Sequence, residues 1–325
     1  MGTLWQEHPY RMNMTPTPET PPSPPWPLWR SWLLNFGSVY LVGYFLVAGQ
    51  TLWRPPGAQQ WLHSTVGRLY EAALGRSWPP LRPTGSGDTA LDWALFGLLF
   101  LVALIGGTLW TALQKRPPAW QMPALSGFLR FFLAIWLLSY GLIKFNFGQF
   151  GLLQAEQLGT SYGESSPMGL LWRFMAASPG YQWLAGAAEV LPALLLLHRR
   201  TVTLGALLST VTLTNVFALN LLYDVPVKLF SGHLLLAALV LAAADLPRLW
   251  AFARGEAVPA VPARPQPAAF RWGSWLLTAL VLVTAGLQVR LGLQELAEYR
   301  ADPANSQTRL QTRGLHLVSP FPFNR

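Results

Sequence analysis

Two long apolar runs joined by a short polar seam decide the fold. Residues 201–245 read TVTLGALLSTVTLTNVFALNLLYDVPVKLFSGHLLLAALVLAAAD, and no charged residue occurs from Thr201 to Tyr223. A helix needs about 20 mostly apolar residues to cross a bilayer, so the first run is long enough to span one. The second run follows after a few polar residues. The stretch therefore predicts an antiparallel pair of transmembrane helices.

The whole chain has the composition of a membrane protein. Apolar residues make up 52% and charged residues 11% of it, whereas soluble domains carry about 25% charged residues. Residues 31–53, 93–114 and 272–289 are also free of charge. We therefore predict an all-α, polytopic helical bundle with about seven transmembrane helices. They lie near 31–53, 91–113, 127–147, 180–197, 201–223, 227–246 and 271–291.

Basic residues predict the orientation, because Lys and Arg are enriched on the cytoplasmic side of membrane proteins. They fall on alternate connections at Lys115, Arg116, Arg199, Arg200, Arg248, Arg254, Arg264 and Arg271. This pattern places the N-terminus in the cytoplasm and the C-terminus outside. The long connection 54–90 departs from it, since it carries four arginines on the side predicted to face outward.

The chain divides into six segments. They are a disordered Pro-rich tail at 1–28, two helices with a long outer loop at 29–126, a four-helix core at 127–249, a Pro/Ala linker at 250–270, a last helix at 271–291 and a polar tail at 292–325. Within the long connections, 61–74 and 168–176 are each predicted to form a short amphipathic or interfacial helix.

Ionisable residues inside spans are the candidate functional residues, because a charge in the bilayer is costly and marks a site by default. Lys144, Glu189 and His233 are the candidate catalytic residues. Glu189 needs either a proton or a cationic partner, for which Lys144 and Arg173 are available. Counted from the predicted outer ends of the spans, Lys144 and His233 lie in the outer half of the bundle and Glu189 lies at the floor of that half. The candidate binding residues at similar depth are Asn146, Gln149, Arg173, Asn215, Asn220, Asp224 and Lys228. A plainer alternative is that such pairs and amides only fix the register of the helices.

The seam itself has a structural interpretation. Pro226 suits the first turn of the helix that follows, where its missing N–H costs nothing. Asp224 just ahead of it is predicted to cap that helix. Lys228 and His233 are not explained by capping. We therefore expect the seam to form one lip of a polar cavity.

Several classes of cofactor and partner do not fit the sequence. The chain contains no cysteine, so an iron–sulfur cluster is not expected. His233 is the one histidine predicted inside a span away from its cytoplasmic edge, whereas a bis-histidine haem needs two. No metal-binding or nucleic-acid-binding motif is present. The lipid bilayer is the partner that the sequence predicts directly.

Part of the chain, residues 127–249, resembles the DoxX-like (DoxX/DoxD) family of four-helix membrane proteins. The resemblance is carried by YGLIKFNFGQF at 140–150, SPMGLLWRFM at 166–175, LAGAAEVLPALLLLHRRTVTLGALLS at 184–209 and TNVFALNLLYDVPVKLFSGHLLL at 214–236. It is similar to a longer bacterial subgroup with additional helices on both sides of the core. The resemblance implies a bacterial cytoplasmic (inner) membrane protein associated with oxidoreductase assemblies and quinones.

Three hypotheses follow for function. In the first, an outward-facing cavity handles a quinone or another lipid-soluble redox partner, with His233 best suited to proton exchange. In that case electrons come from a partner oxidoreductase or a bound cofactor. In the second, the cavity binds a small solute and the protein is a transporter. In the third, the protein is a non-catalytic scaffold that docks an extracytoplasmic partner through its outer loops and tail.

Overall fold

A computed structural model describes residues 27–48, 56–80, 87–114, 116–258 and 268–302. Within these residues the protein is built from helices and contains no strand. The α-helices are α1 (Leu28–Ala48), α2 (Pro56–Leu74), α3 (Ala90–Leu113), α4 (Gln121–Phe145), α5 (Ala155–Leu158), α6 (Pro167–Ala176), α7 (Pro179–Leu197), α8 (Val202–Leu222), α9 (Lys228–Ala243), α10 (Leu246–Ala253) and α11 (Ala268–Ala301). The predicted N-terminal tail up to residue 26, Lys115, the linker from 259 to 267 and the tail from 303 lie outside the described residues.

The all-α, multi-pass fold class predicted from the sequence is confirmed. Five described helices are long and apolar enough to cross a membrane, namely α3, α4, α7, α8 and α11. Helices α9 and α10 add a sixth if they are taken together as one span, bent by 64°. The predicted first span corresponds to α1, which has 21 residues.

Four helices close into a ring that forms the centre of the bundle. Helix α4 packs against α7 and α9, and α8 packs against both α7 and α9. The interior of the ring is filled by small and branched apolar side chains. Among the most buried of them are Leu133, Ala193, Leu196, Ala206, Leu213 and Ala237. The ring helices run from Gln121 to Ala243, and they overlap the region 127–249 for which the sequence predicts a four-helix core.

The remaining long helices are attached to the outside of this ring. Helices α1 and α3 pack against each other along their length, and α1 also contacts α4 and α9. Helix α11 lies against α4 and α7. It ends at Ala301 rather than near 291, so the first part of the predicted C-terminal tail is helical. The other long helices begin and end within a few residues of their predicted bounds, except α4, which begins at Gln121 rather than near 127.

Local sequence signals account for where several helices begin. The Ser178 hydroxyl accepts a hydrogen bond from the backbone N–H of Tyr181, and Pro179 occupies the first turn of α7. The same Ser-Pro arrangement starts α6 at Ser166. Helix α3 begins with a capping box formed by Thr89 and Asp92. These are the residue types that favour helix N-termini, and they fix the ends of the helices around the site.

The cap of α9 differs from the prediction. Asp88, in the segment that precedes α3, accepts hydrogen bonds from the backbone N–H of Lys228 at 2.6 Å and of Leu229 at 3.0 Å. The prediction that Asp224 caps this helix is wrong. Asp224 adopts a positive φ of 53° and pairs instead with the Lys228 ammonium at 2.7 Å. The carboxylate that reaches the free N–H groups comes from a segment that is remote in sequence.

Candidate functional site

The centre of the candidate site is a buried ion pair between α4 and α7. Lys144 Nζ lies 2.5 Å from Glu189 Oε2, and each residue is only 4% exposed. Lys144 Nζ also donates to the carbonyl oxygen of Tyr140 at 3.0 Å. Within the described part of the chain, Lys144 is the one hydrogen-bond donor to Glu189. The pair predicted from two isolated ionisable residues therefore forms, and no described residue donates a hydrogen bond to the other carboxylate oxygen of Glu189.

Two glycines allow the helices to cross at the ion pair. A Cβ added to Gly141 would lie 2.9 Å from the carbonyl oxygen of Gly186, and one added to Gly186 would lie 2.8 Å from that of Gly141. The backbones of α4 and α7 thus meet directly. Gly186 lies one turn before Glu189 and Gly141 one turn before Lys144, so the close approach brings the two charged side chains together. This is the small-residue packing typical of membrane helices.

Aromatic side chains border the pair. The Lys144 ammonium lies 5.9 Å from the ring centroids of both Tyr140 and Phe150. Phe150 in turn packs edge-on against Trp172 of α6 at 5.1 Å. The segment between α4 and α7 therefore folds back over the pair, and it supplies flat apolar surfaces beside a charged group.

Amide side chains form a second layer at the predicted outer end of the bundle, where α4 ends and α7 begins. Asn146 donates through Nδ2 to Gln288 Oε1 of α11 at 2.7 Å. Gln182 donates through Nε2 to the carbonyl oxygen of Gly151 at 2.8 Å. The side-chain oxygens of Gln149 and Gln182 are buried, and no donor among the described residues reaches them. Two of the predicted binding residues, Asn146 and Gln149, thus lie near the ion pair in sequence and structure.

His233 belongs to a different cluster. Its Nε2 lies 2.7 Å from the Tyr40 hydroxyl and its Nδ1 lies 2.6 Å from the carbonyl oxygen of Leu229. The ring of Tyr44 stacks on the imidazole at 3.4 Å between centroids, and Phe96 packs edge-on at 5.7 Å. A carbonyl oxygen only accepts, so Nδ1 carries the proton and Nε2 accepts from Tyr40. Both ring nitrogens of a neutral imidazole are thereby satisfied.

The structure therefore does not bring the three candidate catalytic residues together. No hydrogen bond or ring contact within the described residues joins His233 to Lys144 or Glu189. Trp136 and Tyr140 of α4 instead contact Phe230 of α9 at ring distances of 4.7 and 6.5 Å. One polar cavity lined by all three residues was the expectation; the structure has two buried clusters.

The other predicted binding residues are distributed around the predicted outer end. Arg173 donates to the Ser165 hydroxyl rather than to Glu189. Asp224 and Lys228 form an exposed ion pair on the seam. Asn220 is buried, whereas Asn215 is exposed on the outside of α8. Asn215 thus lies away from the ion pair.

Several polar residues that contact other helices were not anticipated from the sequence. Tyr40 and Tyr44 lie one turn apart on α1, and Phe36 one turn earlier continues an aromatic stripe that a helical period reveals. Arg130 donates to the carbonyl oxygens of Leu196 and Leu197 at the C-terminus of α7, the latter at 2.6 Å. Its placement inside the predicted span 127–147 is the signal that identifies it. Asp88 gives no such signal, because its partner lies on another helix.

No group of three His, Cys, Asp or Glu side chains among the described residues gathers where it could hold a metal ion. The ion pair provides an ammonium donor and a carboxylate acceptor in a low-dielectric setting, beside two aromatic rings. This arrangement can hold a polar atom of a flat ligand or exchange a proton with it.

The fold and the buried site define a polytopic helical membrane protein. Comparison with known proteins places the chain more closely. It is 31% identical over 153 residues to "Uncharacterized protein YwoB" of Bacillus subtilis (strain 168), a match that covers 47% of this chain and 92% of that protein. The chain therefore belongs to the same family as YwoB. No family model matches the chain, and no solved structure matches it.

Proposed function

We propose that this protein is a DoxX-like protein of the bacterial cytoplasmic membrane that binds a quinone or a similar lipid-soluble redox partner. The observation that carries the proposal is the Lys144–Glu189 ion pair, which is buried in the membrane-spanning part of the bundle with a contact of 2.5 Å. A charged pair in this setting is costly to maintain without a use. The resemblance of residues 127–249 to the DoxX-like family supports the same proposal.

The surroundings of the pair suit a flat ligand with polar atoms. Lys144 has three N–H groups, and two of them are taken by Glu189 and the Tyr140 carbonyl oxygen. The third is available to a ring carbonyl. Glu189 keeps one oxygen to accept a hydrogen bond or a proton. Phe150 and Tyr140 offer ring faces against which an aromatic ligand stacks favourably.

His233 is not needed for this binding step. Both of its ring nitrogens are used by Tyr40 and by the Leu229 carbonyl oxygen. Its role in proton exchange stays a prediction, and the proposed ligand site consists of Lys144, Glu189 and their aromatic neighbours. Electrons would reach the ligand from a partner oxidoreductase.

The proposal is tested by extracting and quantifying quinones from protein purified in a mild detergent. We expect about one quinone per wild-type protein, and loss of it in the double variant Lys144→Gln/Glu189→Gln. The double change leaves no lone buried charge, so the bundle is expected to fold. The matched control is Asp224→Asn/Lys228→Gln, which removes an exposed pair of the same chemistry.

Two results would overturn the proposal. The first is a wild-type protein that carries only bulk phospholipid. The second is quinone retained equally by both double variants. In the first case, uptake of small solutes into proteoliposomes would favour the transporter hypothesis, and capture of an extracytoplasmic partner protein would favour the scaffold.

A further inference from the structure

A groove of about 350 Å³ opens at the end of the bundle where α1 begins and α3 ends. The side chains that line it come from the first two turns of α1 and the last turn of α3, namely Leu28, Trp29, Trp32, Thr111 and Ala112. Helix α3 has 24 residues, so it is about 36 Å long, whereas the hydrocarbon core of a bilayer is about 30 Å thick. The last turn of α3 and the groove beside it therefore lie near the boundary between acyl chains and headgroups.

The lining of this groove is largely apolar, because the polar atoms around it are used within the protein. The Thr111 hydroxyl donates to the carbonyl oxygen one turn earlier at 2.7 Å and accepts from Asn35 Nδ2 at 2.9 Å. Trp32 Nε1 donates to the Thr108 hydroxyl at 3.0 Å. What remains for a ligand is ring and methyl surface. A ligand segment without polar atoms, such as an acyl chain, matches this lining.

A positive charge lies beside the groove. The Arg30 guanidinium lies 5.1 Å from the ring centroid of Trp29, and it forms no ion pair with another described residue. No Asp or Glu occurs from residue 20 to 70 or from 93 to 155, so neither helix brings an acid to this end. Arg116 adds a second positive charge three residues after α3 ends. This end of the helix pair therefore attracts an anion.

We propose that the groove between α1 and α3 binds an anionic phospholipid, with an acyl chain against Trp29, Trp32 and Ala112 and the phosphate group at Arg30. An apolar groove beside an uncompensated cation at headgroup level matches both halves of such a lipid. Basic residues at a membrane surface attract anionic lipids, and tryptophan is favoured at this depth. A zwitterionic lipid carries its own cation and gains less from Arg30.

This lipid site is separate from the site of the proposed function. Gln121 at the start of α4 donates to Asn35 Oδ1 at 2.9 Å, so α4 begins at the end of the bundle where the groove opens. Lys144 lies in the last turn of the same helix, at its opposite end. The lipid proposal therefore does not rest on the proposal that the ion pair binds a quinone.

The headgroup is tested by native mass spectrometry of delipidated, full-length protein titrated with dioleoylphosphatidylglycerol or dioleoylphosphatidylcholine, which have the same acyl chains. We expect the first phosphatidylglycerol to bind about fivefold more tightly than the first phosphatidylcholine, the effect of about one basic residue near a membrane surface. Arg30→Gln should remove this preference. The matched control is Arg254→Gln, because Arg254 also lies over a tryptophan, Trp250 at 5.8 Å, but is paired with Glu256 at 3.0 Å. It should keep the preference.

The groove is tested in the same titration by filling it. Ala112 is exposed, so Ala112→Phe adds bulk to the groove without disturbing the packing of the helices. We expect it to weaken binding of the first phosphatidylglycerol about tenfold, the loss from about two CH₂ groups that are no longer buried. The control is Leu101→Phe, because Leu101 is 54% exposed and lies three turns earlier on the same face of α3. It should bind like the wild type.

Equal binding of the two lipids to the wild type would overturn the proposal. So would a preference that Arg30→Gln keeps, one that Arg254→Gln loses to the same extent, or an affinity that Ala112→Phe leaves unchanged. The double variant Lys144→Gln/Glu189→Gln should keep the lipid preference, and its loss there would place the anion at the ion pair instead of the groove. Loss of quinone from that variant with an unchanged lipid preference separates the two sites, and a wild type that selects phosphatidylglycerol but carries no quinone keeps the lipid site and rejects the proposed function.

Discussion

Asp88 and Lys228 are 140 residues apart in the chain, yet the Asp88 carboxylate accepts a hydrogen bond from the Lys228 backbone N–H at 2.6 Å. Its second oxygen takes the next N–H, that of Leu229, at 3.0 Å. The first turn of a helix has free N–H groups and a positive dipole end, so a bidentate carboxylate there is favourable. This contact joins the segment before α3 to the four-helix ring.

Removal of this cap should destabilise the protein. We expect Asp88→Gly to lower the free energy of unfolding by about 1–2 kcal/mol, the usual cost of losing a capping side chain. Glycine keeps the positive φ of 56° that Asp88 adopts, so the change isolates the carboxylate. Asp224→Gly is the matched control, because Asp224 also has a positive φ but caps nothing, and its loss should cost under about 1 kcal/mol. Thermal unfolding in detergent measures both, and equal losses would contradict the assignment of the cap.

The Lys144–Glu189 pair should show strong coupling in a double-mutant cycle. Glu189→Gln alone leaves a buried ammonium without its counter-charge, and we expect a loss of about 3–5 kcal/mol. The double variant Lys144→Gln/Glu189→Gln should recover much of that loss, because no lone charge remains. The exposed pair Asp224–Lys228, with an 80% exposed aspartate side chain, should give a coupling of about 0–1 kcal/mol in the same measurement. Additive losses at the buried pair would mean that the two charges do not interact.

The sequence predicted this pair but not the surroundings of His233, and the reason is physical. Lys144 and Glu189 are each costly inside a span, so each predicts a partner of opposite charge. Few residues within the predicted spans carry such a charge. The partners of His233 are tyrosines on α1, and a tyrosine in an apolar helix carries no comparable signal. The Asp88 cap is equally hard to predict, because the free N–H groups at the start of a helix can donate to any nearby oxygen. The lengths of the apolar runs predicted the helices. The contacts between helices that are distant in sequence depend on how the helices pack, which these runs do not specify.

The Tyr40–His233 contact provides a test of how α1 is attached to the ring. Tyr40→Phe removes the donor to the buried Nε2 while it keeps the ring that packs on Phe96 and Phe100. We expect a destabilisation of about 1–3 kcal/mol, since a buried acceptor is left unpaired. The control is the double variant Tyr40→Phe/His233→Phe, in which no buried acceptor remains. If the double variant is no more stable than Tyr40→Phe, the hydrogen bond is not what holds α1 in place.

The crossing of α4 and α7 should be sensitive to a single methyl group. Gly141→Ala places a Cβ 2.7 Å from Val190 Cγ2 and 2.9 Å from the Gly186 carbonyl oxygen. The backbone cannot yield as a side chain does, so we expect a loss of about 1–3 kcal/mol in stability. Gly127→Ala is the control on the same helix, because nothing lies within 4 Å of its added Cβ, and it should be neutral or slightly stabilising through helix propensity. Unfolding in detergent distinguishes the two, and similar values for both would show that the helices do not meet at Gly141.

The arginine-rich connection 54–90 conflicted with the orientation that the other basic residues predict, and the Asp88 cap bears on that conflict. Because Asp88 binds the start of α9, the end of this connection lies at the same end of the bundle as the seam at 224–227. Arg68 in α2 and Asp224 on the seam should therefore be reached from the same side of the membrane, and Glu256 after α10 from the other side.

This prediction is checked with single-cysteine variants at these three exposed positions, treated in intact cells with a membrane-impermeant maleimide. We expect Arg68→Cys and Asp224→Cys to be labelled, and Glu256→Cys to be labelled only after the membrane is permeabilised. Glu256 is chosen because acidic residues contribute little to orientation, so its replacement leaves the basic pattern intact.

Two outcomes would contradict the prediction in different ways. If only Glu256→Cys is labelled in intact cells, the orientation is the reverse of the predicted one, but Arg68 and Asp224 still share a side. If Arg68→Cys and Asp224→Cys are labelled from opposite sides, the Asp88 cap itself is contradicted.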